Sequence, residues 1–259
     1  SLELVILEAL DTLLNIGLSK KEKTLIAKDV ENNFIGVNCG IMDQYSIAFG
    51  KKDYAILLDC DSNTHKYVPF KIDGYKIMII NTNKERKLAD SKYNERRKEC
   101  KKGLDILIDN SQKEKYKDLT LFDYNDYKDK IDNLEQRIRT YHYISENKRT
   151  IDAYNELIDD NIKKFGEIIF ESHKSLKDNY EVSCKELDFL VNFVKDKDAV
   201  IGARMTGAGF GGCTVNIVKE DKIEKIEKEI SKKYYKKFEK KPSIYIADVG
   251  DGCKEMVEG

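Results

Sequence analysis

Hydrophobic residues recur along the chain with two different periods, which predicts a protein of mixed helices and strands. Leu4, Leu7, Leu10 and Leu14 recur at three- and four-residue spacing, which predicts an amphipathic helix over 2–14. The next helix is expected to begin after Ser19, because Ser19 with Glu22 forms the sequence pattern of a capping box. Further helices are expected over 91–110, 127–146, 148–176, 184–194 and 220–238, with a second helix to about residue 33 and a short one near residue 40.

Short runs of β-branched and aromatic residues separate these helices and predict strands. They lie at 54–59, 66–70, 75–81, 200–205, 214–218 and 243–249. The run at 75–81 is mostly apolar, as is typical of a buried central strand. Since strands occur at both ends of a long helical stretch, the second half is predicted to be an α+β sandwich with helices on one face of a sheet.

Composition and charge narrow the classes of partner. The 259 residues include 46 basic and 47 acidic side chains, so no net field attracts the chain to nucleic acid or to an anionic membrane. No apolar run approaches the roughly 20 residues of a transmembrane helix. The six cysteines form no metal-binding pattern and follow no secretory signal, so we expect a reducing, cytoplasmic location.

A cluster of glycines is the most informative local feature. Residues 202–214 read Gly-Ala-Arg-Met-Thr-Gly-Ala-Gly-Phe-Gly-Gly-Cys-Thr and lead directly into a predicted strand. Glycine permits positive φ and the close approach of another chain or an anion, so the cluster predicts a rigid loop beside a binding site. A tight turn without any ligand would show the same residues. The loop residues are Gly207, Ala208, Gly209, Gly211 and Gly212.

Two carboxylates flank a glycine-containing loop nearer the start of the chain. Glu31 lies on the second predicted helix, and Asp43 follows in the sequence Cys-Gly-Ile-Met-Asp-Gln, which contains Gly40. A helix that starts near Gly40 would hold Asp43 in its first turn, where the helix dipole stabilises an ionised carboxylate by about 0.3–1 kcal/mol. Such a group can accept a proton from a substrate hydroxyl. Either acid alone would equally suit a helix cap or a solvated surface.

Tyr93 follows the apolar strand at 75–81, at the start of the next predicted helix. Connections between a strand and a helix commonly host ligands. A tyrosine that packs against the helix start would show the same placement. The adjacent Arg96 and Arg97 point to different sides of a helix, which favours a structural role for both.

Four segments in this order resemble the galactokinases, a branch of the GHMP family of small-molecule kinases. They are Glu31 with residues 36–49, then 88–97, then 165–184, then the glycine cluster at 202–218. The resemblance covers nearly the whole chain. It implies transfer of the γ-phosphoryl group of ATP to the C1 hydroxyl of galactose.

The resemblance also implies roles for particular residues. Asp43 matches the catalytic aspartate of the family, and Glu31 matches its acidic Mg²⁺ ligand. Gly40, through its backbone, and Tyr93 match positions that contact the sugar. The loop at 207–212 would support the phosphate and sugar site. The implied small molecules are galactose, ATP and Mg²⁺, and the intact family member is expected to be a monomer.

The fold implied by the resemblance is a two-lobed α+β GHMP kinase. Residues 1–70 would be the remainder of the N-terminal domain. Residues 71–259 would be the C-terminal domain, a ferredoxin-like sheet with a helical insertion. Ser1, Leu2 and Glu3 resemble the end of the family's phosphate-binding motif, so we expect the natural protein to extend further N-terminal, with that lobe truncated here.

Two other functions fit the same residues. One is a GHMP kinase for another sugar, such as N-acetylgalactosamine or arabinose, because nothing near Tyr93 excludes it. The other is a non-catalytic sensor that binds sugar and ATP and acts through a partner protein. The motifs that separate a kinase from a sensor lie, in the family, before the position of Ser1.

We expect the 259 residues by themselves not to phosphorylate galactose. In the family, the serine that binds Mg²⁺, the N-terminal sugar motif, the adenine pocket and an arginine near the catalytic aspartate precede the matched region. An ADP-release assay on the purified chain tests this, and measurable turnover would contradict it.

Overall fold

The computed structural model describes residues 2–36, 39–85 and 89–254, with the backbone alone for residues 89–91. These residues form two compact units. The first comprises the described parts of Ser1–Lys71 and Val249–Gly259, and the second is made of Ile72–Asp248. Within the described ranges, no helix has both the length and the apolar character needed to cross a membrane.

The first unit consists of three helices and a two-stranded hairpin. Its capping box is confirmed, because the Ser19 side chain accepts from the Glu22 amide and the Glu22 side chain accepts from the Ser19 amide. A small apolar core of Leu4, Ala27 and Ala48 joins the helices. The elements are α1 (Leu2–Leu14), α2 (Lys20–Asp29) followed by a π-helical turn (Val30–Ile35), α3 (Met42–Phe49), and the antiparallel strands β1 (Tyr54–Asp59) and β2 (Thr64–Pro69).

The C-terminal segment returns to the first unit. The Gly252 amide donates to the Gly50 carbonyl at 2.7 Å, and the Cys253 amide donates to the Ile47 carbonyl at 2.7 Å. The expected second domain was a continuous stretch from residue 71 to residue 259. The compact units differ from this expectation at the C-terminus, where the segment after Asp248 belongs to the first unit. Its backbone hydrogen bonds attach it to the end of α3.

The second unit is a four-stranded antiparallel sheet with helices inserted between its first and second strands. The strand order is β4-β5-β3-β6, which is the ferredoxin-like arrangement expected from the resemblance. Its elements are β3 (Tyr75–Asn81), α4 (Ala89–Asn110), α5 (Leu121–Tyr127), α6 (Leu134–Ile158), α7 (Ile162–Asp178), α8 (Lys185–Lys195), β4 (Val200–Met205), β5 (Cys213–Lys219), α9 (Ile223–Phe238) and β6 (Ser243–Ala247).

The main core of the second unit lies between the sheet and helices α8 and α9. Met78 and Ile80 of β3 are fully buried there against Leu190 and Val194 of α8 and Ile230 of α9. The apolar strand β3 is an inner strand of the sheet, as the sequence suggested, although only Met78 and Ile80 are buried and the other residues of the strand are half-buried.

The predicted break between two long helices near residue 147 is wrong. Helix α6 continues to Ile158, and α7 begins only after Asn161. No glycine or proline interrupts the chain near residue 147, so the helix continues there. The break falls where Asp160 takes a φ of 55° and the Asn161 side chain accepts from the Lys164 amide as an N-cap.

A pair of glycines brings α7 against β4. A Cβ on Gly202 would lie 2.8 Å from the Gly166 Cα, and a Cβ on Gly166 would overlap the Ile201 carbonyl. The pairing of β4 with β5 shifts register between Val200 and Gly202, so the strand bulges at this contact. Backbone packs against backbone here, which leaves no flexible side chain to move aside.

A buried histidine joins α6 to α7. The His142 Nδ1 lies 2.9 Å from the Ser175 Oγ, and the His142 ring stacks on Tyr180 with 4.6 Å between centroids. Burial lowers the pKa of His142 to about 4; Glu146 opposes this shift, and the nearby Arg149 adds to it. The ring is therefore neutral at pH 7.

We expect Gly166→Ala to destabilise the protein by about 1–3 kcal/mol, as overpacking of a rigid site does. Alanine is a better helix former than glycine by about 1 kcal/mol, so helix propensity alone predicts that the substitution stabilises the protein. Gly250→Ala is the matched control, because a Cβ there meets nothing within 4 Å. Urea unfolding measures both variants, and a Gly166→Ala protein as stable as the parent would contradict the backbone contact.

We expect the unfolding free energy to rise with pH between pH 5 and pH 7 because of His142. Its folded pKa is lower than its unfolded pKa, so the unfolded chain binds more protons in this interval and stability increases as pH rises. With an unfolded pKa near 6.5, the gain is about 2 kcal/mol. His142→Asn should flatten this dependence in urea unfolding at a series of pH values. The same slope in both proteins would refute the assignment.

Candidate active site

Glu31 lies in the π-helical turn that continues α2, and its side chain is half-buried. The Glu31 carboxylate lies near the Cys39 thiol, which donates a hydrogen bond to the Asn32 Oδ1 at 3.2 Å. Burial, and then this contact with Glu31, raises the pKa of Cys39. The contact connects the end of α2 to the segment that leads into α3.

A second set of contacts fixes the same segment. The Asn32 Oδ1 accepts from the Cys39 amide at 3.0 Å, and the Gln44 Nε2 donates to the Cys39 sulfur at 3.7 Å. Gln44 is buried in α3, and its Oε1 has no hydrogen-bond partner among the described residues. These contacts hold Glu31 and the first turn of α3 to one another through Cys39.

Asp43 occupies the first turn of α3, as the sequence predicted, and its side chain is exposed. Gly40 is also exposed, and a Cβ there would meet nothing within 4 Å. Its φ lies outside the left-handed region, so backbone conformation does not require glycine at this position. The exposed carboxylate and the bare backbone are adjacent at the start of α3.

The first unit thus brings Glu31, Gly40 and Asp43 to one end of α3. Among the described residues there is no group of three or more His, Cys, Asp or Glu side chains that could enclose a metal. A single carboxylate nevertheless suits Mg²⁺, which commonly takes one or two protein carboxylates and completes its shell with phosphate oxygens and water.

The second unit brings the other predicted residues to one end of its sheet. Because β3 and β5 are antiparallel, the last residue of β3, Asn81, pairs with the first residue of β5, Cys213. The chain leaves β3 toward the helix of Tyr93 and enters β5 from the glycine loop. Both the amide and the hydroxyl of Thr82 donate to the Gly212 carbonyl at 2.8 Å.

The glycine loop has the backbone that its sequence predicts. Positive φ values occur at 76° for Gly207, 84° for Gly209 and 79° for Gly212, and also at 151° for Gly211. A residue with a Cβ is strained in this region. Gly207 is exposed, Ala208 is half-buried, and the remaining glycines are buried.

Val182 supports the middle of this loop. The Phe210 amide donates to the Val182 carbonyl at 2.7 Å, and a Cβ on Gly209 would overlap the same carbonyl. Gly209 is therefore required both by its φ and by the close approach of Val182. The loop is anchored at its middle by Val182 and at its end by Thr82.

Tyr93 is half-buried on α4, near the start of that helix. Burial raises the pKa of Tyr180, and the neighbouring Cys100 and Tyr93 add to this effect. Tyr180 in turn stacks on His142.

The structure also shows residues near the site that the sequence did not single out. Arg139 is 1% exposed in α6, and it bonds to the loop before Val182. His173 of α7 accepts from the Met205 amide at 3.2 Å, directly before the glycine loop. Hydrophobic periodicity could not identify either residue, because both are polar side chains at buried helix positions.

Two parts of the matched motifs lie outside the described residues, namely residues 37–38 in the first segment and Leu88 in the second.

Comparison with known proteins matches both parts of the chain. The family described as GHMP kinases N terminal domain matches residues 1–51, and the family described as GHMP kinases C terminal matches residues 154–236. A galactokinase of Clostridium perfringens is 46% identical over 256 residues, which cover 99% of this chain and 66% of the relative. A galactokinase of Bacillus subtilis is 41% identical over 263 residues, with the same coverages. The chain thus spans about two thirds of the length of these curated relatives.

Solved structures agree with the sequence relatives. Lactococcus lactis galactokinase complexed with galactose superposes with a TM-score of 0.94 at 38% identity, over 99% of this chain and 66% of that one. The structure of L. major mevalonate kinase superposes with a TM-score of 0.62 at 15% identity, which shows a shared fold alone. With both family regions matched in order and agreement with a solved relative over 99% of this chain, this chain belongs to the GHMP kinase family.

Proposed function

We propose that the whole protein is a galactokinase, which transfers the γ-phosphoryl group of ATP to the C1 hydroxyl of galactose. The observation that carries the proposal is the similarity to Lactococcus lactis galactokinase complexed with galactose, at a TM-score of 0.94 and 38% identity. Sequence identities of 41–46% to other galactokinases support the same substrate.

Asp43 is proposed as the catalytic base. Its carboxylate is exposed in the first turn of α3. It would accept the proton of the C1 hydroxyl as that oxygen bonds to the γ-phosphorus. The bond from that phosphorus to the bridging oxygen breaks in the same transfer, and ADP leaves with the electron pair. Phosphoryl transfer depends mainly on such positioning and on charge stabilisation.

Glu31 is proposed as the protein ligand of Mg²⁺. Its carboxylate lies near Cys39, whose backbone amide donates to Asn32, and its half-burial leaves part of the side chain accessible. When bound, the metal supplies positive charge to the β- and γ-phosphate oxygens of ATP. Asn32 and Gln44 fix the segment that Glu31 contacts, so they support this position indirectly.

Gly40, Tyr93 and the glycine loop are each proposed to contact the substrates. At Gly40 the backbone is uncovered, so a sugar hydroxyl could approach it closely. The Tyr93 phenol supplies a donor and an acceptor for another hydroxyl. The loop at 207–212 is anchored at Val182 and Thr82, which suits a surface that supports the sugar and its phosphate.

The proposed setting is the cytoplasm, with no nucleic acid or membrane partner and with a monomeric intact protein. All six cysteines are free thiols, as is common in a reducing compartment. The near balance of 46 basic and 47 acidic side chains supports the absence of a polyanionic partner.

We expect Asp43→Asn, in the full-length protein, to reduce kcat by about 10²–10⁴-fold, because the amide cannot accept the proton. The fold and galactose binding should be largely intact, since Asp43 is exposed. Steady-state kinetics and calorimetric galactose titration measure the two quantities. Near-normal kcat would remove Asp43 from this role.

Asp73→Asn is the matched control, because Asp73 is an exposed aspartate of the second unit outside the proposed site. A panel of galactose, N-acetylgalactosamine and arabinose identifies the substrate. Preference for another sugar would contradict galactose as the substrate but would still agree with a sugar kinase. Sugar binding without ADP release from the intact protein would instead indicate a sensor.

A further inference from the structure

Arg139 is a buried charge whose partners lie on other elements. Its side chain is 1% exposed within α6. Its Nη2 lies 2.6 Å from the Glu181 Oε2, and its Nη1 donates to the Asn179 carbonyl. Its Nε lies 3.4 Å from Glu99 of α4 without the alignment of a hydrogen bond. One guanidinium group thus contacts α4 and the 179–181 segment from α6.

Packing alone does not explain an arginine at this position. The neighbouring core of α4 and α6 is apolar, with Cys100, Leu104 and Ile144 buried in it. Removal of a guanidinium from water is costly, and an apolar side chain of similar volume often stabilises a protein as much or more. The planar guanidinium group bonds to two acceptors at once, so it fixes the positions of those acceptors relative to α6.

The segment that Arg139 holds has an unfavourable backbone. Glu181 takes a φ of 53°, which is rare for a residue with a Cβ. Its side chain is 55% exposed, so burial does not hold it in place. Besides Arg139, Arg96 of α4 lies 3.5 Å from the Glu181 carboxylate. These charge contacts therefore restrain Glu181.

The next residue supports the glycine loop. The Val182 carbonyl accepts from the Phe210 amide and fills the space where Gly209 lacks a Cβ. A shift of the backbone at Glu181 would therefore move the surface on which Gly209 and Phe210 rest. The contact leaves no gap that could absorb such a shift.

The same cluster reaches the helix of Tyr93. Arg96 follows Tyr93 by nearly one helical turn, and its Nη1 donates to the Glu99 Oε2 at 3.1 Å. Glu99 also faces Arg139. The four charged groups therefore join the first turns of α4, which present Tyr93, to the segment that supports the glycine loop.

We propose that Arg139 is a positioning residue, which sets the glycine loop and Tyr93 in a fixed relation through Glu181 and Glu99. Its link to catalysis rests on the galactokinase function proposed above, whereas its effect on the loop does not. Arg139 itself contacts no reacting group in this account.

Hydrogen exchange on the 259-residue chain tests the effect on the loop. In Arg139→Met, protection of the Phe210 amide should fall about tenfold or more, while the amides of β3 and β5 keep their protection. Arg139→Lys keeps the charge but lacks the planar fork, so it should give an intermediate loss. Arg137→Met is the matched control. Arg137 lies on the same helix, and its contacts are with Asp129 and the Ile131 carbonyl, so Phe210 should be unaffected.

Glu181→Gln covers the case in which Arg139→Met does not fold. Glu181 is exposed, and the change leaves no cavity, so the fold should persist while the ion pair is lost. Loss of Phe210 protection in this variant supports the proposal. Unchanged Phe210 protection in Glu181→Gln, or equal loss across all core amides in Arg139→Met, overturns it.

Kinetics of the full-length protein test the link to catalysis. Arg139→Met should lower kcat by about 10–100-fold, the effect of a small misplacement of a site, and Arg139→Lys should recover part of the loss. Normal kcat together with lost Phe210 protection would separate the loop from catalysis and overturn the catalytic link. If the parent protein phosphorylates no sugar, the proposed function fails, and the exchange experiment still decides the positioning role.

Discussion

The pairing of β3 with β5 is the constraint on which the second unit depends. These two inner strands are hydrogen-bonded from Tyr75–Lys219 to Asn81–Cys213, and the core residues Met78 and Ile80 project from this ladder. Because the strands are antiparallel, the exit of one and the entry of the other share an edge. The end of β3 and the end of the glycine loop are therefore adjacent, and Thr82 joins them by its two bonds to Gly212.

Polar groups buried around this edge have a different role from the apolar core. The core between the sheet and helices α8 and α9 stabilises the unit through apolar area removed from water. Arg139, His142 and His173 are buried among the helices, where each directs hydrogen bonds or charge contacts to a named partner. Apolar packing tolerates small shifts of position, whereas a hydrogen bond requires a defined distance and angle. These buried polar side chains are costly to remove from water, but they fix the relative positions of the segments that they join.

The first unit places its two candidate carboxylates with fewer polar contacts than the second unit uses around the glycine loop. The carboxylate of Glu31 lies near Cys39, and that of Asp43 lies in the first turn of a short helix. Neither needs a network of charges, since one is half-buried and the other is exposed. Such an arrangement suits phosphoryl transfer, in which the protein positions the reactants and stabilises charge without forming covalent bonds to them.

The sequence by itself determined most elements, the family and the candidate chemistry. Periodicity placed α1, β3 and β4 at their observed bounds, and the capping box at Ser19 was legible because its residues are local. The positive φ values of the glycine loop were also predictable, since they depend on the residue type. Periodicity misplaced the break between α6 and α7, because an asparagine cap is a weaker signal than a glycine or a proline.

Only the tertiary structure decided which distant residues meet. The contacts of Gly209 with Val182, of Gly166 with Ile201 and of Arg139 with Glu181 join residues that are 27 to 42 positions apart, and no local pattern records them. The return of residues 249–254 to the first unit is of the same kind. Local propensity acts over a few residues, whereas these contacts form when separate elements pack. The sequence therefore identified the chemical groups, and the packing of the chain decided what holds them in place.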